Sequence, residues 1–232
     1  MHLKFTKPIE RLHAVDSTEV KKRVRQRGST KKEQREASVD AILSSALKLF
    51  AEKGYRSTTV DEIAAACALT KGAVYFYFPN KAAILFALFD EIEELMVGKM
   101  VSRVEQAGPT VTDKLVALIH NQSETGLENA ERLMLFILML LEFNGAGDDV
   151  EARVKSIYKR YHTAIENIIR QGKSNGEFRD DIDARSIGGV IMAIINGSMM
   201  EWFCRADEHN GRELARAGRI IAISGVLNVK GQ

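Results

Sequence analysis

The sequence predicts an all-α protein, and three features carry that prediction. Apolar residues recur at helical spacing from about Glu33 to near the C-terminus. Residues with cap chemistry, Thr59, Thr70, Asn80 and Asp183, stand directly before these patterns. No run alternates polar and apolar residues as a strand would, and after residue 80 the only proline is Pro109.

The first pattern places Val39, Ile42, Leu43, Ala46, Leu47 and Phe50 on one helical face, and Gly54 ends it. The next window, Thr58 to Lys81, reads TTVDEIAAACALTKGAVYFYFPNK. The Thr59 hydroxyl can accept a backbone N–H that a first turn leaves unpaired. Asp61 and Glu62 follow where the helix dipole favours negative charge. Val60, Ile63, Ala64 and Cys67 form a narrow apolar stripe. Thr70 opens a second short helix from Lys71 to about Phe78, whose exposed positions would carry Lys71, Gly72, Tyr75 and Tyr77. Such a helix, small and basic at its start and tyrosine-rich at its end, can lie in a major groove. Its first residues would reach base edges while hydroxyls and N–H groups bond flanking phosphates. Pro79 stops it, and Asn80 caps a further helix with Lys81 in its first turn.

This window resembles the DNA-binding signature of the tetracycline-repressor (TetR-type) family of bacterial transcription regulators. The resemblance rests on Thr59, Ile63-Ala64, Thr70-Lys71-Gly72-Ala73, Tyr75, Tyr77-Phe78 and Lys81, with Gly54-Tyr55 before them. It implies a three-helix helix-turn-helix head in which Thr59, Thr70, Lys71, Gly72, Ala73, Tyr75, Tyr77 and Lys81 meet double-stranded DNA. One position departs. The turn between the short helices carries a small-Gly pair in the family and reads Cys67-Ala68 here. Alanine with positive φ costs roughly 1 kcal/mol, and the turn is expected to tolerate it.

From Lys81 a longer pattern buries Ile84, Leu85, Leu88, Phe89, Ile92, Leu95 and Met96 and should run to about Gln106, before Gly108-Pro109. The resemblance makes it the helix that connects head to body. Five further helices are expected in the body: Thr112–Ser123, Glu131–Asn144, Asp149–Asn175, Asp183–Cys204 and Gly211–Asn228. The segment 171–183, with Gly172, Gly176 and Asp183, also resembles a helix-to-helix junction of that family.

Leu133–Leu141 and Ile187–Phe203 are apolar on most faces, so something must cover them all round. The first is too short to cross a bilayer, and the second is interrupted by Gly188, Gly189, Asn196, Gly197, Ser198 and Glu201. Both read as buried helices. The cover can be the chain's own core, a bound ligand or a second copy. Small residues on Ile187–Phe203 favour a copy, so the last two helices are expected to build a homodimer seam through Gly189, Ala193, Gly197, Met200, Ile220 and Ile223. Phe136, Met139, Leu140, Phe143, Tyr158, Tyr161, His162, Met199 and Trp202 mix aromatic and adaptable side chains. They are either plain core or the wall of a cavity for a small apolar effector. Polar anchors would come from His120, Glu124, Asn144, His162 and Asn196. The resemblance to a ligand-gated family favours the cavity. It also implies a dimer on a palindromic operator, most simply a repressor that the effector releases.

Composition bounds the rest. The 232 residues are 45% apolar and 28% charged, as in ordinary globular proteins. The net charge of +2 divides unevenly, +6 over residues 1–80 and −4 over the remainder, which suits a front that meets a polyanion. Residues 1–32 are expected to form a basic, disordered arm whose Lys21–Arg27 run is either solvated or tracks phosphates. Residues 33–81 would be the head and 82–232 the body, with 82–107 the connecting helix. Cys67 and Cys204 stand far apart, no apolar leader is visible, and a cytoplasmic protein with no membrane partner is expected. There is no P-loop, GxGxxG, HExxH or Gly-x-Ser-x-Gly, and no cofactor, metal or enzyme activity is expected. The alternatives left open are an all-helical enzyme or ligand carrier with a vestigial head, and a constitutive nucleoid-type DNA binder.

Overall fold

In a computed structural model, residues 30–228 are described; the basic run Lys21–Arg27 lies outside them. The described chain is helical, apart from one antiparallel bridge between Phe178 and Leu227. The head comprises α1 (Lys31–Lys53), α2 (Val60–Ala66) and α3 (Lys71–Tyr77). Next, α4 (Lys81–Glu93), a π-helical turn (Glu94–Gly98) and α5 (Lys99–Glu105) form one connecting run. The body adds α6 (Val111–Glu128), α7 (Ala130–Glu142), α8 (Asp149–Ser174), α9 (Ala184–Cys204) and α10 (Gly211–Val226).

The caps explain most of these boundaries. Thr30 and Thr59 each form a reciprocal capping box, with Glu33 and Glu62 respectively. Thr70, Asn80 and Asp183 accept the N–H groups of Ala73, Ala83 and Ser186. Helix α6 begins and ends outside the expected Thr112–Ser123. Thr110 caps it in a box with Asp113, and Thr125 and Gly126 bury against the core and carry it to Glu128. Gly54 and Gly176 take positive φ where they stop α1 and α8.

Ala68 also has φ of 55°. The Leu69 N–H reaches the Ala64 carbonyl at 2.9 Å, so the turn keeps the bond pattern of a glycine-terminated helix with alanine at the left-handed position. Half-buried Leu69 packs on the core and helps to offset the strain.

One core runs through head and body, and α4 is the element they share. Its Ile84, Leu85, Leu88, Phe89 and Ile92 are fully buried, between Phe50 of α1 and Phe136 of α7. Arginines tie its polar face to the body. Arg132 of α7 meets Glu91 at 2.9 Å, and Arg153 of α8 meets Asp90 and Glu93 at 2.6 and 2.7 Å. Arg160 also pairs with Glu93.

The junction between α8 and α9 carries a carboxylate cap. Glu177 accepts from the N–H groups of Val111 and Thr112 at 3.0 and 2.8 Å, at the N-terminus of α6. These bonds hold its pKa at about 2, below the usual 4.5. The stabilisation is therefore complete above about pH 4.5 and is lost as pH falls toward 2. Glu177→Gln is expected to lower the melting temperature at pH 7 and to flatten its fall between pH 5 and about 3. Equal melting curves for both proteins across that window would rule the cap out as a stabilising group.

Candidate functional site

The recognition surface is built by two short helices and their caps. Val74 is fully buried and anchors α3 against the head core. Lys71, Gly72, Tyr75 and Phe76 face solvent, Ala73 is half-buried, and Tyr75 is 44% exposed. Thr70 keeps its hydroxyl proton free, because its oxygen only accepts from Ala73. The Thr59 hydroxyl is committed to Glu62, from whose backbone it accepts and to whose carboxylate it donates.

Two of the expected contact residues turn inward in the structure. Lys81 is tied to the protein's own backbone. Its Nζ donates to the carbonyls of Tyr55 at 2.6 Å, Thr58 at 2.7 Å and Arg56 at 3.3 Å, and sits 4.4 Å above the Tyr55 ring. All three protons are spent on the turn between α1 and α2, and burial pulls the pKa of the ammonium down. Tyr77 is half-buried against the core rather than outward. The most exposed aromatic of α3 is Phe76, at 78%, which the tyrosine-rich reading passed over. Lys71 remains outward, but its Nζ bonds Asp61 at 2.8 Å, which raises its pKa. A nucleic-acid contact must compete with that exposed, weak pair.

The same turn is a latch between head and body. The Tyr55 ring meets Phe50 of α1 and Phe143, just past α7, at centroid distances of 5.1 and 5.7 Å. Arg56 lies 5.4 Å above the Phe143 ring and pairs with Glu142 at 3.2 Å. Phe143 therefore belongs to the latch.

Within the body the expected effector residues divide. Phe136, Leu140, Tyr158 and Met199 line a void of about 10 Å³ with Met192 and Asn196. Met199 and Trp202 line a larger cavity of about 50 Å³ between α6, α9 and α10. Gln122, Leu133, Asn196 and Met199 border both spaces, so a thin partition separates them. Met139 and Tyr161 are fully packed core residues and line neither. His162 packs against Tyr158 in a tilted arrangement, ring centroids 4.4 Å apart, and burial lowers its pKa. Of the expected anchors only Asn196 reaches the cavities. His120 and Glu124 pair with each other at the surface, at 3.0 Å, and Asn144 is exposed. Sequence reasoning missed Gln122, which is 4% exposed and has no hydrogen-bond partner for its side-chain oxygen. The signal was present: Gln122 falls on the apolar stripe of α6, one turn past Leu118. Among the described residues no three His, Cys, Asp or Glu side chains gather as a metal site.

The residues expected at a seam lie on a surface that the single chain leaves partly bare. Helix α9, whose apolar run is interrupted by Gly188, Gly189, Asn196, Gly197, Ser198 and Glu201, has the length and mean hydropathy of a membrane span, as the core helix of a soluble protein also can, and only 28% of that stretch is buried within the chain. Its outer face carries Ala193 and Gly197, both exposed, with Gly189 and Met200 half-buried. Val190 of α9 and Ile221 of α10 are 60% and 63% exposed, and a groove of about 220 Å³ runs between the two helices. Ile220 is exposed and Ile223 half-buried on the same side of α10.

Known proteins resemble the chain over both parts. Residues 42–88 match the model of bacterial regulatory proteins of the tetR family, and residues 89–223 match the YsiA-like protein C-terminal region. The fatty acid metabolism regulator protein of Bacillus subtilis is 26% identical over 192 residues, covering 81% of this chain and 94% of that protein. The MbdR regulator of Azoarcus sp. CIB is 38% identical in a solved structure, with a TM-score of 0.74, covering 82% of this chain and 100% of that one. The regulator FadR of Bacillus subtilis, solved with stearoyl-CoA, shares the fold at 24% identity and a TM-score of 0.66, covering 80% and 98% of the two chains.

Proposed function

From the premise that the chain belongs to the tetR family of bacterial regulatory proteins, DNA-binding regulators of transcription, we propose that it represses from a palindromic operator as a homodimer and is released by a small apolar effector. Residues 33–81 form the reading head, residues 82–232 the effector and dimer body, and the protein works in the cytoplasm. The observation that carries the reading is α3 itself, with Thr70, Lys71, Gly72 and Tyr75 exposed and Ala73 half-buried around a buried Val74. Two copies joined through α9 and α10 would present two such helices, about one helical turn of DNA apart.

The effector space is nearly closed in this structure. Cavities of about 50 and 10 Å³ cannot hold a drug-sized ligand, which needs roughly 300 Å³ or more. Separating the flexible Met199 from Leu133 would merge them. Gln122 would then give a bound polar atom its partner. A fatty acyl group is the effector chemistry we favour, supported by the name of the Bacillus subtilis relative and by the apolar walls. Opening the wall moves α7, whose end carries the latch of Phe143 on Tyr55 and Arg56. The ligand favours the opened form, and its differential affinity for that form lowers operator affinity by the same factor.

The test selects duplexes from a random-sequence library with the full-length chain. Lys71→Ala is expected to weaken the selected duplex by about 5- to 150-fold, as for a lost base contact of roughly 1–3 kcal/mol. Tyr75→Phe should weaken all sequences about equally. Acyl-CoA thioesters of increasing chain length should then release the complex beyond some length. Retention of no duplex in dilute buffer defeats the DNA reading. Retention that no thioester disturbs defeats the acyl effector and favours a constitutive binder.

A further inference from the structure

Phe76 and Gly72 share the outermost ridge of α3. Successive helix residues turn by about 100°, so both stand roughly 160° from the buried Val74, on the side facing away from the core. Their neighbours Lys71 and Tyr75 flank this ridge, and Ala73 and Tyr77 turn back toward the head.

Neither ridge residue is explained by the chain's own packing. A methyl group on Gly72 would meet only the Thr70 hydroxyl oxygen, at 4.0 Å. Glycine within a helix costs up to about 1 kcal/mol against alanine, yet nothing in the protein demands its smallness. Phe76 leaves a large apolar ring in water, braced edge-on against the half-buried Tyr77 at 5.1 Å and 84°. A bare glycine followed one turn later by a braced ring describes a surface shaped for close approach and then for an apolar contact.

This inference rests on the DNA-binding reading above. In a major groove the apolar group on offer is the C5-methyl of thymine. We infer that Phe76 is a specificity-determining residue that packs on a thymine methyl in each half-site, and that Gly72 provides the clearance that lets the ridge enter. Lys71 supplies polar readout beside it. The contact asks for no hydrogen bond, so it selects thymine against cytosine and uracil by one methyl group.

The experiment replaces thymine by deoxyuridine, one position at a time, in the duplex selected from the random library. For the wild-type chain, one thymine per half-site should show about fourfold weaker binding, the value of one buried carbon. Substituting it in both half-sites should cost about fifteenfold. Phe76→Ala should bind the thymine duplex as weakly as the wild type binds the doubly substituted one, and should not distinguish thymine from deoxyuridine. Because Phe76 packs little of its ring on the fold, this variant should melt with the wild type. Equal binding of the wild type to thymine and deoxyuridine at every position would overturn the assignment while leaving DNA binding intact. A discrimination that survives in Phe76→Ala would also overturn it, by assigning the methyl to another residue. A chain that retains no duplex overturns the underlying DNA reading instead.

Discussion

Gly197→Glu is expected to leave a folded monomer with at least about 100-fold weaker operator binding. In a single chain Gly197 is exposed, and nothing lies within 4 Å of where its side chain would begin. A glutamate there costs an isolated chain nothing in packing. In a dimer joined through α9, two such carboxylates would enter an apolar seam. Burying uncompensated charge costs several kcal/mol, enough to dissociate a seam of ordinary strength. The monomer would keep one head, and one half-site alone gives up the second set of phosphate and base contacts. Analytical ultracentrifugation with circular dichroism separates dissociation from unfolding, and operator titration measures the loss. A Gly197→Glu protein that still sediments as a dimer and binds normally would remove α9 from the interface. The milder Gly197→Ala has an informative sign. Alanine stabilises an uncovered helix by up to about 1 kcal/mol, whereas a covered close approach makes the same change unfavourable.

Lys81→Met should lower stability by about 2 kcal/mol and the melting temperature by roughly 6 °C, and should weaken operator binding with it. Methionine keeps the stem of the side chain but removes the three donors and the cation over the Tyr55 ring. The carbonyls of Tyr55, Arg56 and Thr58 then depend on water, in a turn that joins α1 to α2 and touches Phe143 of the body. If Lys81 acted on phosphates instead, the substitution would leave the melting temperature unchanged and reduce only the salt dependence of DNA binding. Thermal melting of the DNA-free protein therefore discriminates between the two roles.

Much of the architecture was legible because helix signals are local. The Thr59, Thr70, Asn80 and Asp183 hydroxyls, amide and carboxylate act within three residues of their own position, and each starts a helix where the sequence places it. The bare face of α9 was legible in part from the same kind of evidence, small residues one helical turn apart. The end of α6 was not, since Thr125 and Gly126 continue that helix only because the folded core covers them.

The site residues divide along the same line. Lys71 and Tyr75 face outward because a seven-residue helix with Val74 inside has few other ways to turn. The intramolecular bonds of Lys81 were not legible because its acceptors lie 23 to 26 residues earlier in the chain, in a turn that only folding brings to it. Phe143 joined the latch and Gln122 entered the cavity border for that reason too. The sequence by itself determined the helices and their caps, which follow from dihedral preference and 3.6-residue periodicity, while the reading helix was marked by its resemblance to a family motif. Only the tertiary structure decided which charged and aromatic side chains are spent inside the protein and which stay free, because desolvation and long-range hydrogen bonds depend on neighbours distant in the chain.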